Sequence, residues 1–182
     1  MGGFGPTGGI MRCTGTQLIL GGARSGKTAY ALARADESGL KKWMIATAGA
    51  EDQEMSERIA RHKDERGSDW GLAEERIRLV DVLQMYARRD RIVVVDCLTL
   101  WLSNLALEQF DLSAETSRLS TAVSSFDGPV IFVSNEIGLG LVPETPLGRS
   151  FRDAQGRLNQ ALAQVCDKVT FVAAGLPFHL KS

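Results

Sequence analysis

The sequence predicts one three-layer α/β domain built around a mostly parallel sheet. Short apolar runs alternate along the chain with helical patterns, which is typical of parallel β-α units. The apolar runs are continuous, which indicates strands that helices cover on both faces. No internal repeat and no break in composition marks a second domain. We therefore expect a single domain over residues 17–182, preceded by a loose glycine-rich tail over residues 1–16.

Six segments are predicted to be strands because each is a short run of apolar, often β-branched residues. The run "RIVVVD" is β-branched almost throughout, whereas "RIRLV" carries a weaker pattern. The segment "VTFVAAG" is predicted to be the last strand. In chain order the predicted strands are 17–20, 43–46, 76–80, 91–96, 129–134 and 169–175.

Six segments between these strands carry helical patterns. The first places Ala31, Leu32 and Ala35 on one side, and the second has opposite charges four residues apart, such as Glu54 and Arg58. The segment "LTLWLSNLALEQF" is apolar over more of its circumference than one buried face needs, so it is either deeply buried or covers an interface. In chain order the predicted helices are 29–37, 51–66, 82–89, 98–110, 114–126 and 149–167.

Composition excludes several classes of protein. The 182 residues carry a net charge of −1, whereas nucleic-acid-binding domains typically carry a strong positive charge. Cys13, Cys97 and Cys166 are far apart and indicate neither a disulfide framework nor a zinc cluster, so a reducing cytoplasm is expected. No apolar run approaches the roughly 20 residues of a membrane span, and the first 16 residues lack the apolar core of a secretory signal.

The most specific motif is "GGARSGKT", which matches the phosphate-binding G-x-x-x-x-G-K-[ST] loop and lies between a predicted strand and a predicted helix. Its backbone N–H groups and the helix N-terminus are expected to hold phosphates. Lys27 is expected to reach the β- and γ-phosphates, and Thr28 to hold Mg²⁺. The predicted nucleotide-binding residues of this loop are Gly21, Gly22, Ala23, Arg24, Ser25, Gly26, Lys27 and Thr28.

Asp96 ends the predicted strand "RIVVVD", and ligands of parallel sheets lie at the carboxyl ends of strands. It is predicted to bind Mg²⁺ with Thr28, and capping the following helix is the alternative. Together with the loop, Asp96 indicates a protein that binds a nucleoside triphosphate. Three classes remain: a small-molecule kinase or nucleotidyltransferase, a mechanical or nucleic-acid ATPase, and a nucleotide-gated switch. The net charge weighs against the second, and the absence of N-K-x-D weighs against the third.

A specific resemblance then emerges from four blocks in order: "GGARSGKT", "IATAGAEDQEMSERIARHKDER", "VVVDCLTLWLSNL" and "VSNEIGLGLVPETPLGRSFRDAQGRLNQ". Together they resemble the bifunctional adenosylcobinamide kinase/adenosylcobinamide-phosphate guanylyltransferase family, over residues 17 to about 181. The resemblance implies a RecA-like P-loop NTPase fold and a homotrimer. It also implies two reactions: phosphorylation of adenosylcobinamide by ATP or GTP, and transfer of GMP from GTP to the resulting phosphate.

The resemblance also implies roles for further residues. It assigns His62 as the histidine that carries the guanylyl group, although from the residues alone a surface histidine on a solvated helix is the simpler interpretation. Arg58 and Arg66 lie four residues to either side and disfavour protonation of the imidazole. His179 has no comparable setting. Further implied nucleotide contacts are Thr47, Ala48, Gly49, Lys63, Asp64, Glu65, Arg66 and Glu74.

The segment "NEIGLGLVP" begins where a predicted strand ends, which places Asn135 and Glu136 at the ligand edge of the sheet. The last helix places Arg149, Arg152, Asp153 and Gly156 near one face, which would serve a subunit contact, the corrinoid or only solvent. Two other functions stay open: a P-loop kinase of another small molecule that forms no covalent intermediate, and a nucleotide-regulated binding module.

Overall fold

The computed structural model describes residues 15–48 and 70–182. Within these ranges the strands are β1 (Thr16–Gly21), β2 (Lys41–Ala46), β3 (Trp70–Glu74), β4 (Arg91–Asp96), β5 (Val130–Asn135), β6 (Lys168–Ala173) and β7 (Leu176–Lys181). The helices are α1 (Lys27–Glu37), α2 (Leu79–Tyr86), α3 (Leu98–Leu107), α4 (Leu112–Val123) and α5 (Pro146–Val165).

The described strands form one sheet in the order β3-β2-β4-β5-β1-β6-β7. All neighbouring pairs are parallel except β6 and β7, which are antiparallel. Alternate residues of each central strand enter two separate cores. One core lies against α1, and the other, around Trp101 and Phe132, lies against α2 to α5. The prediction of a three-layer α/β fold with a mostly parallel sheet is confirmed.

The prediction of a strand over 76–80 is wrong. The strand is Trp70–Glu74, which pairs with β2, and Leu79 already begins α2. The Oε1 atom of Glu75 accepts hydrogen bonds from the backbone N–H groups of Ile77 and Arg78, both at 2.7 Å. This carboxylate turns the chain between strand and helix, so that the apolar residues of the "RIRLV" segment pack as the start of a helix.

The prediction that 169–175 is the last strand is also wrong. Ala174 and Gly175 have φ values of 51° and 78°, and they turn the chain back into β7. Two consecutive positive φ values are typical of a two-residue hairpin turn. β7 is an exposed edge strand, and the hydroxyl of Thr170 lies 3.2 Å from Nδ1 of His179.

Most of the broad apolar surface of helix α3 is buried inside the domain. Leu98, Trp101, Leu102 and Leu105 are buried, and the indole N–H of Trp101 donates to the backbone oxygen of Ile77 at 2.9 Å. Leu107 and Phe110 remain exposed. Deep burial therefore explains most of the apolar surface that the sequence predicted to be either buried or an interface.

The predicted tail and the predicted helix over 51–66 fall largely or wholly outside the described residues. Among the helices of residues 15–48 and 70–182, none has the length and apolar character needed to span a bilayer.

Candidate nucleotide-binding site

The predicted phosphate loop lies between β1 and α1, at the carboxyl edge of the sheet. Gly26 precedes α1 with a φ of 96°, in the left-handed region that glycine adopts readily. Gly21 has a φ of 156°, and a Cβ atom built on it would lie 2.3 Å from the backbone oxygen of Val172. The hairpin after β6 also touches the loop, because the N–H of Gly175 donates to the backbone oxygen of Ser25 at 2.9 Å.

Lys27 and Thr28, the two loop residues with predicted roles in binding phosphate and Mg²⁺, are oriented by hydrogen bonds. Lys27 is buried, and its Nζ donates to the backbone oxygen of Gly22 at 2.5 Å. The hydroxyl of Thr28 donates to Oδ2 of Asp96 at 3.0 Å. Because β5 separates β4 from β1 in the sheet, this bond spans one intervening strand. The structure therefore brings together Thr28 and Asp96, the two residues for which the sequence predicts Mg²⁺ binding.

This pair has the chemistry of a Mg²⁺ site of a nucleotide-binding protein. Mg²⁺ prefers oxygen ligands and is commonly held by one or two protein groups, with phosphates and water completing its shell. Thr28 and Asp96 supply a hydroxyl and a carboxylate. No group of three His, Cys, Asp or Glu side chains suited to a metal occurs among residues 15–48 and 70–182. Cys97, not Asp96, occupies the N-cap position of α3.

Thr47 joins the ends of β2 and β4 beside this site. Its hydroxyl donates to the backbone oxygen of Cys97 at 2.7 Å and accepts from the N–H of Cys97 at 2.9 Å. The side-chain amide of Asn104 donates to the backbone oxygen of Thr47 at 2.8 Å. Thr47 is fully buried, so its hydroxyl holds the edge of the sheet together, and Ala48 follows it half-buried.

Sequence reasoning missed a buried polar network behind the site. Gln155 and Asn159 of α5 lie one turn apart, and both contact Ser134 of β5. All three side chains are buried. The sequence signal for this network was weak, because two polar residues four positions apart on a helix, as Gln155 and Asn159 are, normally indicate its solvated face.

The last-helix residues predicted on one face form mainly local contacts. Arg149 donates to the backbone oxygens of Pro143 and Glu144, and Arg152 pairs with its neighbour Asp153.

The fold is similar to that of ATPases of known structure. The assembled ATPase EscN from the enteropathogenic E. coli type III secretion system matches with a TM-score of 0.56 and 13% identity, over 89% of this chain and 43% of the EscN chain. A prototypical ATPase from the type III secretion system of pathogenic bacteria matches with a TM-score of 0.56 and 11% identity, over 91% of this chain and 56% of that chain. At these identities the likeness establishes the fold, which is the predicted RecA-like P-loop NTPase fold.

Sequence comparison identifies the family. The family described as "Cobinamide kinase / cobinamide phosphate guanyltransferase" matches residues 17–180. This chain belongs to that family. The resemblance stated from the sequence is confirmed, and the protein is a member of an enzyme family named for a kinase and a guanyltransferase activity.

Individual relatives of the cobinamide kinase / guanyltransferase family cover nearly all of the chain. The protein is 48% identical over 166 residues to the "Bifunctional adenosylcobalamin biosynthesis protein CobP" of Pseudomonas aeruginosa, which covers 90% of this chain and 96% of the relative. It is 35% identical over 179 residues to the "Bifunctional adenosylcobalamin biosynthesis protein CobU" of Salmonella typhimurium, and this match covers 90% of this chain and 98% of the relative.

The remaining site residues implied by the family resemblance fall in two groups. Glu74 lies exposed at the end of β3, on the same sheet edge but four strands from β1. At the usual strand spacing this is about 19 Å from the first strand. Gly49, His62, Lys63, Asp64, Glu65 and Arg66 lie outside the described residues.

Proposed function

We propose that this protein phosphorylates adenosylcobinamide with ATP or GTP and then transfers GMP from GTP to adenosylcobinamide phosphate, through a guanylyl group carried on His62. The products of the second step are adenosylcobinamide-GDP and pyrophosphate. The observation that carries the proposal is the 3.0 Å hydrogen bond between Thr28 and Asp96 at the phosphate loop, in a chain that matches the family over residues 17–180.

In the first step the substrate hydroxyl attacks the γ-phosphorus, and the bond to the bridging oxygen breaks. This chemistry needs positioning and charge neutralisation more than it needs a protein nucleophile. Lys27 offsets phosphate charge, and Thr28 and Asp96 would hold Mg²⁺. When bound, Mg²⁺ neutralises charge on the β- and γ-phosphates.

In the second step the imidazole of His62 attacks the α-phosphorus of GTP, and pyrophosphate leaves. The phosphate of adenosylcobinamide phosphate then attacks the same phosphorus and releases the histidine. A covalent carrier divides one displacement into two easier ones. Arg58 and Arg66 lie four residues to either side of His62 in the sequence, and on a helix their positive charges would disfavour protonation of the imidazole and so favour its nucleophilic form.

The experiment follows labelled GTP onto the protein. Label in the α-phosphate should stay with the denatured protein, and label in the γ-phosphate should not, because it leaves with pyrophosphate. The phosphorus–nitrogen bond should be lost in acid and should survive mild alkali. The variant His62→Ala should lose both the label and the second reaction, while phosphorylation of adenosylcobinamide is reduced less.

The matched control is His179→Ala, which removes the chain's other histidine. It should label like the native protein. A His62→Ala protein that still forms the acid-labile adduct would contradict the proposed carrier. Phosphorylation of adenosylcobinamide without any adduct would instead favour a kinase that uses no covalent intermediate.

We further propose a cytoplasmic homotrimer in which residues 17–182 form the single catalytic domain and residues 1–16 a tail. The exposed Leu107 and Phe110, at and just beyond the end of α3, support an assembly because they leave apolar surface uncovered. Light scattering that gave a stable, fully active monomer at micromolar concentration would contradict the trimer.

A further inference from the structure

Asn135 occupies the centre of the ligand edge. It is the last residue of β5, the strand that lies between β4 and β1. In the parallel register Asn135 is opposite Gly21, the first residue of the phosphate loop. Asp96 is opposite Val133, so Asn135 extends two residues beyond the level of Asp96. Asn135 therefore lies between the phosphate loop and the carboxylate of Asp96.

The pleat of β5 decides the side of the sheet to which Asn135 belongs. Ile131 and Val133 enter the core that packs against α1, whereas Phe132 enters the opposite core and Ser134 contacts α5. Because side chains alternate along a strand, Asn135 falls on the α1 side. This is the side on which Thr28, at the start of α1, meets Asp96.

The backbone of Asn135 is fixed from both sides. Its N–H donates to the hydroxyl of Thr99 at 2.9 Å, and its carbonyl oxygen accepts from Nδ2 of Asn159 at 3.1 Å. The next residue is tied to the phosphate loop, since the N–H of Glu136 donates to the backbone oxygen of Gly21 at 3.0 Å.

A buried network holds Asn159 in turn. The hydroxyl of Ser134 donates to Oδ1 of Asn159 at 2.7 Å, and Nε2 of Gln155 donates to Ser134 at 2.9 Å and to Asn159 at 3.0 Å. Burying three polar side chains has a cost that their mutual hydrogen bonds partly offset, because Oε1 of Gln155 has no hydrogen-bond partner among residues 15–48 and 70–182. The outcome is a rigid support under one residue at the ligand edge.

The side-chain amide of Asn135, in contrast, has no hydrogen-bond partner among residues 15–48 and 70–182, and the residue is only half-buried. A positioned amide can donate to a phosphate oxygen without adding charge. We propose that the amide of Asn135 donates a hydrogen bond to the terminal phosphoryl group of the bound triphosphate, and that Ser134, Gln155 and Asn159 position it. This role deepens, and rests on, the kinase step proposed above.

In that step the bond between the γ-phosphorus and the bridging oxygen breaks, and a bond to the substrate hydroxyl oxygen forms. The nucleoside diphosphate leaves with the bonding electrons, and the hydroxyl proton passes to the medium. Asn135 neither gains nor loses a proton. Its hydrogen bond is directed at the γ-phosphoryl oxygens, so a diphosphate, which lacks them, should not form it.

The test compares two ligands in Mg²⁺ buffer by calorimetry: the β,γ-imido analogue of ATP and ADP. Asn135→Ala should weaken binding of the triphosphate analogue by about ten- to hundredfold, the range expected for a hydrogen bond to a charged group. ADP affinity should stay within about twofold. Asn135→Asp, which keeps the shape but replaces a donor by a negative charge, should weaken the analogue further. Gln164→Ala, an exposed amide on α5, is the matched control and should change neither affinity.

Equal weakening of both ligands would show a structural role only and would overturn the proposal, as would unchanged affinity for the analogue. Asn159→Leu should reproduce the selective loss of the analogue in weaker form, and loss of ADP binding to the same degree would contradict a positioning role. These readouts need no corrinoid. If the native protein binds both nucleotides but never phosphorylates adenosylcobinamide, the proposed function fails while the comparison of the two nucleotides still decides the role of Asn135.

Discussion

Replacing Gly21 by alanine should destabilise the protein even without nucleotide. The Cβ atom would lie 2.3 Å from the backbone oxygen of Val172 and 2.7 Å from Oγ of Ser25. Real Cβ atoms do not approach a carbonyl oxygen so closely, so β1 or β6 must shift. The φ of 156° at this position is also one that side chains other than glycine rarely adopt.

The magnitude follows from these two contributions. Overpacking of a close-packed interior costs about 1–3 kcal/mol, and an unfavourable φ costs about 1–2 kcal/mol. Together they give a loss of about 3 kcal/mol in the free energy of unfolding. For a domain of this size each kcal/mol lowers Tm by about 2–4 °C, so the decrease should be about 6–12 °C.

The assay is thermal unfolding followed by circular dichroism in nucleotide-free buffer. Gly22→Ala is the matched control, because a Cβ atom there meets nothing within 4 Å, and its Tm should stay within about 2 °C of the native value. Adding Ser25→Ala to Gly21→Ala should not restore stability, since the nearer obstacle is a backbone atom. Equal Tm values for Gly21→Ala and Gly22→Ala would refute the reasoning.

Lys27→Ala should lower the rates of both proposed reactions by about a hundredfold or more, because the variant lacks the positive charge that offsets phosphate charge. Near-normal kinase rates of this variant at saturating Mg-nucleotide would show that Lys27 has no part in the mechanism. Burial raises the pKa of the Cys166 thiol to about 12, so iodoacetamide near pH 8.5 should alkylate this thiol only after the protein unfolds. Peptide mapping detects the alkylated residue. Labelling of the native protein at pH 8.5 would contradict burial of this thiol. Because the thiol of the unfolded chain ionises near pH 9, its contribution to the stability of the folded state should be present below pH 9 and lost as pH rises to about 12. Asp111→Ala removes an N-cap side chain that accepts hydrogen bonds of 2.9 and 3.0 Å from the N–H groups of Ser113 and Ala114. Urea unfolding should show a free energy of unfolding about 1 kcal/mol lower. The control variant Ser117→Ala, at an exposed position of the same helix, should leave this free energy unchanged.

The elements that sequence predicts well are those in which local pattern and tertiary burial agree. Strand β4 is Arg91–Asp96, as predicted, because four consecutive buried residues need cover on both faces. The phosphate loop and the partnership of Thr28 with Asp96 were likewise predictable, since the motif fixes one residue and the end of an apolar strand fixes the other.

The predictions that failed depend on single contacts that no local pattern contains. Glu75 bonds to the N–H groups that follow it and turns an apolar strand-like segment into the start of a helix. β7 was missed because its turn consists of only two residues and because Pro177 is acceptable in a strand only at a sheet edge. The buried network of Gln155 and Asn159 was invisible since its partner, Ser134, is more than 20 residues away.

The contact between Gly175 and Ser25 has a consequence for the order in which the protein matures. β1 pairs with β5 and β6, which are synthesised more than 100 residues later, and the hairpin after β6 completes the hydrogen bonding of the phosphate loop. Such long-range pairing gives a high contact order, and loops of this length close slowly. A nascent chain on the ribosome therefore carries the phosphate-loop sequence from the start, but it can form the hydrogen bond between Gly175 and Ser25 only once Gly175 has emerged.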